Sequence, residues 1–376
     1  MKKLYFIPLF LIFSCTAIKQ LSNEKVEQKK ECSSITFEKK TPLLTIKLDQ
    51  VETSFLFDTG AGLSVLLDST IIPNFNEKKF GYLGSAKGAN RKKIKNRFLT
   101  VNLKTNLFES ENKVLTFINM PKSFCSKSKK TYTGILGMDL FFDQNLSMQL
   151  DFTNNKICNI SAEEVQLITN SNYYIIKSEC KRSQIFIFLT IEGKEYRFKL
   201  DTGFIGTISI PKTDNVNFTN TNKIELDGNL FTTISGITNG TEILYEKMPV
   251  TIGNENVETK ITVSSTIKAQ NIGIDFIKGF DWVIDYNNNK IYIKRNSNTI
   301  DNTFSRKVSY YSKAQNENKL LIVVKEKSQF KYNLSDEITS VNNQKVTPEN
   351  ICEIQDLLNK TEDWNTLNLE IIPAVK

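Results

Sequence analysis

Residues 54–67 read SFLFDTGAGLSVLL, an Asp-Thr-Gly set between two apolar runs, where an acidic turn would ordinarily face solvent. Phe55, Phe57, Val65 and Leu67 have the residue types and spacing of strands, so the turn carrying Asp58 is expected to be walled by hydrophobic structure. Such walls penalise the charged form of a carboxylate and set it apart from a surface acid. One tripeptide decides little, because Asp-Gly and Thr-Gly neighbourhoods recur in hairpin turns that do no chemistry.

A second copy decides more. Residues 197–210 read RFKLDTGFIGTISI, which puts Asp201 143 residues after Asp58. Each Asp-Thr-Gly has an apolar strand before it and a further glycine after it, Gly62 or Gly206. The downstream segments also repeat in order: GILGMDLFF (134–142) and QLDFTNNKIC (149–158) after the first copy, NIGIDFIKG (271–279) and VIDYNNNKIY (283–292) after the second. Upstream, TPLLTIKLDQVETSFLF (41–57) and SQIFIFLTIEGKEYRFKL (183–200) each read as a hairpin, turning at Asp-Gln or Glu-Gly. The pattern is that of an internal duplication.

Composition narrows the chemistry. A chain of 376 residues with 40% hydrophobic content is expected to form two or three domains rather than to stay disordered. The net charge of +8 is spread over many lysines, with neither zinc-finger spacing nor an aromatic RNA-binding signature, so it is read as solubility and no nucleic-acid partner is expected. The histidine count of 0 removes Ser-His-Asp triads, Cys-His pairs and histidine-ligated zinc. Hydrolysis would have to rest on carboxylates, and neither a metal nor another cofactor is expected.

These residues resemble the retropepsin-like and pepsin-like aspartic proteases, whose lobes each contribute one Asp-Thr-Gly and a later apolar-apolar-Gly segment. The likeness covers residues 35–296. Leu56-Phe57-Asp58-Thr59-Gly60-Ala61 is similar to the retropepsin form, and Ile135-Leu136-Gly137 to the later motif. In the second copy Phe204 stands where the family has Ala, Ser or Thr, and Asn271-Ile272-Gly273 carries Asn for one apolar residue. A ring at position 204 is expected to narrow the cleft or shield it. The resemblance implies an all-β, two-lobed pepsin/retropepsin-like fold with lobes at 35–165 and 166–296. It implies that Asp58 and Asp201 form a catalytic pair sharing one proton and activating a water against a peptide bond. It further implies that Thr59 and Thr202 brace the two loops, that Gly60 and Gly203 allow close approach and donate amide hydrogens, and that Ala61 completes the first loop. It also implies a peptide or protein substrate and a monomeric, single-chain pseudo-dimer. The stretch KKFGYLGSAKGANRKK (78–93) suits a flap, with Tyr82 placed to close over substrate, and LDGNLFTTISGITNG (226–240) occupies the equivalent interval. The competing reading is a catalytically weak or inactive surface lipoprotein that holds extended peptides in the same cleft, and a non-enzymatic duplication comes third.

The N-terminus, MKKLYFIPLFLIFSC (1–15), has two lysines and then an apolar run too short to span a bilayer comfortably. Ile12-Phe13-Ser14-Cys15 resembles a bacterial lipobox, which implies lipidation of Cys15 and a membrane anchor in the cell envelope; a plain secretory signal is the alternative. Residues 16–34 are read as a tether. With Cys15 set aside, Cys32, Cys125, Cys158, Cys180 and Cys352 are odd in number, so at least one stays unpaired and the spacing assigns no connectivity. Residues 297–303 read as a linker. Beyond it, KLLIVVK (319–325) and DEITSVNNQKV (336–346) read as strands with an Asn-Asn turn, and Thr347-Pro348-Glu349 as a helix start. Ile351, Ile354, Leu357 and Leu358 fall on one helical face. This order resembles the second half of a PDZ domain, implying a small α+β PDZ-like unit at 304–376, although EKSQFKYNLS is short for the family and Ser335 replaces its glycine. Substrate recruitment and packing as an appendage are both open for this unit.

Overall fold

Alternating apolar residues build two hairpins in corresponding places. Thr41–Leu48 pairs antiparallel with Val51–Phe57, and Gln184–Ile191 with Lys194–Asp201. Their turns use positive backbone φ at Asp49 and at Glu192 and Gly193, as the tight connection requires. A later short strand then inserts parallel to the second arm of each hairpin: Gly134–Leu136 beside Phe55–Phe57, and Asn271–Gly273 beside Lys199–Asp201. In this register Leu56 lies opposite Ile135, and Lys199 opposite Asn271. Val65–Leu66 and Ile208–Pro211 close the other side of each inserted strand. The computed structural model describes residues 24–72, 85–87, 93–95, 97–118, 124–125, 132–141, 146–181, 184–213, 216–233, 236–304 and 309–374. Cys15 and Tyr82 therefore lie outside the described residues.

The protein is mostly β. The first half forms an eight-stranded sheet, and a six-stranded sheet is shared between the halves. Cys32–Ser34, Ser147–Asp151 and Lys156–Ile160 come from one half, and Tyr174–Ile176, Phe280–Asp285 and Lys290–Arg295 from the other. The seam is the antiparallel pairing of Met148–Leu150 with Trp282–Ile284. One continuous apolar core runs beneath both halves, from Ile35 and Leu44 through Phe57, Leu150 and Trp282 to Ile300. The fully buried Trp282 donates its indole N–H to Ile277 O at 2.8 Å, so its one polar atom is satisfied inside that core.

Two stretches expected to be extended connectors are structured. Within the expected tether, Lys25–Gln28 adds an edge strand to Phe108–Phe117, and Cys32–Ser34 joins the shared sheet. Cys32 is disulfide-bonded to Cys158 opposite it. The expected linker is held against the second half: Lys247 N donates to Asn302 O at 2.8 Å, Lys260 N to Asp301 O at 3.2 Å, and Ile300 is buried. Composition alone suggests linkers here; the partners that fix these stretches are distant in sequence.

The last unit carries Tyr310–Asn316, Lys319–Glu326, Glu337–Val341, Gln344–Lys345 and Leu369–Ile372 as strands and Ile351–Lys360 as its helix, around a core of Tyr310, Tyr332, Ile338, Ile354 and Trp364. The Asn-Asn turn forms with positive φ at Asn342 and Asn343. The helix begins at Ile351 rather than at Thr347, because the Asn350 side chain folds back to accept from Thr347 N at 2.8 Å and makes a turn there. Ile351, Ile354 and Leu358 are buried as expected, while Leu357 is 44% exposed. This unit is joined to both halves. Val324–Glu326 pairs antiparallel with Leu226–Gly228 of the long hairpin Lys223–Thr233/Gly236–Ile252, and Cys352 is disulfide-bonded to Cys125 of the first half. Cys180 is unpaired. Among the described residues no helix is long and apolar enough to cross a membrane.

Candidate active site

The two Asp-Thr-Gly turns meet back to back at the boundary between the halves. Thr59 Oγ1 donates to Leu200 O at 2.9 Å and accepts from Thr202 N at 3.0 Å. Thr202 Oγ1 does the mirror task, donating to Phe57 O at 2.7 Å and accepting from Thr59 N at 3.0 Å. Both threonines are fully buried, so these four bonds have no competition from water. A hydroxyl is suited to this because it donates and accepts at once.

This clamp presses each turn's glycine against the other turn's acid. A methyl carbon at Gly60 would overlap the Asp201 carboxyl, and one at Gly203 would overlap that of Asp58. The two carboxyls come within hydrogen-bonding reach of one another. Asp58 Oδ1 accepts from Gly60 N at 2.8 Å and Ala61 N at 3.0 Å. Burial, and then the Asp201 charge, push the Asp58 carboxyl up to about 7, against the opposing pull of Lys199 and the Gly60 amide.

The site is not symmetric. Among the described residues no Gly203 amide bond reaches Asp201, contrary to the expectation. In its place Lys199 Nζ stands 3.7 Å from Asp201 Oδ2 and donates to Gly60 O at 3.0 Å. Sequence reasoning misses Lys199, since it alternates with buried residues in KEYRFKLD like any solvated strand face. Its one sequence signal is that it stands in the second copy where the first has Leu56. Tyr132 is missed as well: burial and the neighbouring Asp58 charge push its hydroxyl up, and its ring packs on the apolar cluster of Leu56, Val65, Leu67, Ile118 and Ile135.

Phe204 turns its ring over Gly206 and Gly273 of its own half rather than between the acids. Of the lid candidates, Ser85–Lys87 and Lys93–Lys95 pair as a small hairpin. The interval 226–240 forms the tip of the long hairpin whose flank carries the last unit. Behind the first turn, Ser64 accepts from Gly137 N at 3.0 Å and donates to Asp139 at 2.7 Å, and buried Lys113 joins Asp139 at 2.9 Å. Among the described residues no cluster of acidic or cysteine side chains could hold a metal ion. Two close carboxyls sharing charge, Asp201 buried and Asp58 half-buried, one of them held protonated toward neutral pH, can act as acid and base on a single bound water. No family model matches the chain, and a search of curated proteins finds no match either.

Proposed function

We propose that the protein is an aspartic-type endopeptidase of pepsin/retropepsin-like, internally duplicated build. The observation that carries the reading is the reciprocal threonine clamp, which brings Asp58 and Asp201 from the two halves into hydrogen-bonding reach. One carboxyl is ionised and takes a proton from a water held between the pair, and the water oxygen attacks the peptide carbonyl. The other is protonated and gives its proton to the carbonyl oxygen, so the tetrahedral intermediate forms neutral and without a covalent enzyme adduct. With the two carboxyls in reach of one another, the Phe204 ring, which lies over Gly206 and Gly273, does not separate them, and this favours the cutting reading over that of a peptide-holding protein. The test is incubation of the purified chain with a diverse peptide library from acidic to neutral pH, beside Asp58→Asn and Asp201→Asn. Each variant should lose at least about 10³-fold in kcat/KM while still folding. Wild-type turnover in either one would refute the shared pair.

The last unit is read as PDZ-like but closed. Its edge strand Tyr310–Asn316 already spends backbone groups on its own helix: Ser312 N donates to Asn359 Oδ1 at 2.9 Å, Asn359 Nδ2 to Ser312 O at 2.9 Å, and Ala314 N to Gln355 Oε1 at 2.6 Å. That supports an appendage that packs over peptide capture by strand addition. The chain is further proposed to be exported and lipid-anchored at Cys15, and the two disulfides fit an oxidising compartment. Cys15→Ser should abolish incorporation of radiolabelled fatty acid, and labelling that persists would remove the anchor.

A further inference from the structure

Corresponding positions beside the two acids are filled differently. Leu56, two residues before Asp58, pairs with Ile135, and both are buried in an apolar cluster. Lys199 and Asn271 take the same two places before Asp201. A strand lysine on the face opposite to the fully buried Phe198 and Leu200 would ordinarily extend into solvent. Lys199 instead keeps its side chain 20% exposed and reaches across the boundary to Gly60 O at 3.0 Å, with Asp201 Oδ2 at 3.7 Å. Beside it, Asn271 is buried with a side-chain oxygen that has no hydrogen-bond partner.

We propose that Lys199 is a positioning residue of the site, fixing the negative charge on Asp201, leaving the proton on Asp58, and holding the Gly60 turn in place against the pair. The inference rests on the aspartic-protease reading, which needs one negative charge but does not say where it resides. An ammonium closer to one carboxylate favours ionisation of that one. The Gly60 and Ala61 amides both address Asp58 Oδ1, which leaves Oδ2 as the oxygen to carry the proton. Asp201 then takes the water proton, the water oxygen bonds to the carbonyl carbon, and the carbonyl oxygen receives the proton of Asp58 Oδ2. Afterwards Asp201 is protonated, Asp58 ionised and the diol neutral, so charge and atoms balance. The groups acting electrostatically on Asp58 are Asp201 and Lys199, and Tyr132 stays neutral across the working range.

The experiment compares wild type, Lys199→Met, Lys199→Gln and Lys199→Arg as full-length chains, by pH profiles of kcat/KM and by NMR titration of ¹³C-labelled aspartate carboxyls. Without the cation the acid limb and the matching carboxyl titration should both move up by about one pH unit, with KM little changed, and Arg should restore both. The Gln variant serves where Met does not fold. Lost activity with an unshifted profile, or superimposable titrations, would overturn the proposal. Absence of peptide hydrolysis by wild type would sink the protease reading alone, since the carboxyl titration needs no turnover.

Discussion

A methyl group is too large for the space between Gly203 and Asp58, and that intolerance makes a direct test of the site. Gly203→Ala should displace the Asp58 carboxyl and lower kcat/KM by about 10² or more, because small misplacements of reacting groups are that costly. Circular dichroism should show the fold retained, and near-normal turnover would contradict the described approach. The raised Asp58 titration also has a sign. Its folded value near 7 lies above its unfolded one, so its stabilising contribution is complete below about pH 4 and is lost as pH rises toward 7. Activity should fall along a basic limb centred near pH 7, and urea midpoints should decline over the same interval more steeply in wild type than in Asp58→Asn, where Glu242, pushed up to about 7 by burial, still contributes. Asp58, Thr59, Gly60 and their counterparts are legible in the sequence because the tripeptide repeats in matched surroundings. Lys199 is not, because its bond to Gly60 forms only when a turn 139 residues away is laid against its strand.

Pairs of elements show where local pattern suffices. Hairpins at 41–57 and 184–201 follow from alternation plus turn residues, and both form. The edge strand Lys25–Gln28 does not announce itself, since Val26 is its one large apolar residue and its ladder lies on Phe108–Phe117. The junction between the long hairpin and the last unit depends likewise on one position. Gly228 has φ of +126° and its missing side chain would overlap Val323 O. Gly228→Val should therefore open the pairing of Leu226–Gly228 with Val324–Glu326, at about 2–4 kcal/mol of stability. Hydrogen exchange should speed up at those amides while the Cys125–Cys352 bond still holds the unit; unchanged protection would argue against this junction.

At the scale of the whole molecule, the sequence shows two matched halves but not how they are joined. Nothing in a strand's pattern names its partner, so the six-stranded sheet and the two long-range disulfides cannot be read from it. Because that sheet draws three strands from each side, residues 24–170 and 171–374 expressed apart should each bind a hydrophobic dye and show no cooperative melt. Expressed together they should recover a single transition, and a stable isolated half would break the argument. The same seam sets a schedule for synthesis. Met148–Leu150 waits for Trp282–Ile284, so more than a hundred residues must emerge from the ribosome while that strand edge stays open to any other chain. Cys32 and Cys158 can meet before the second half exists, and their bond would bookmark the first three strands until the missing partners arrive.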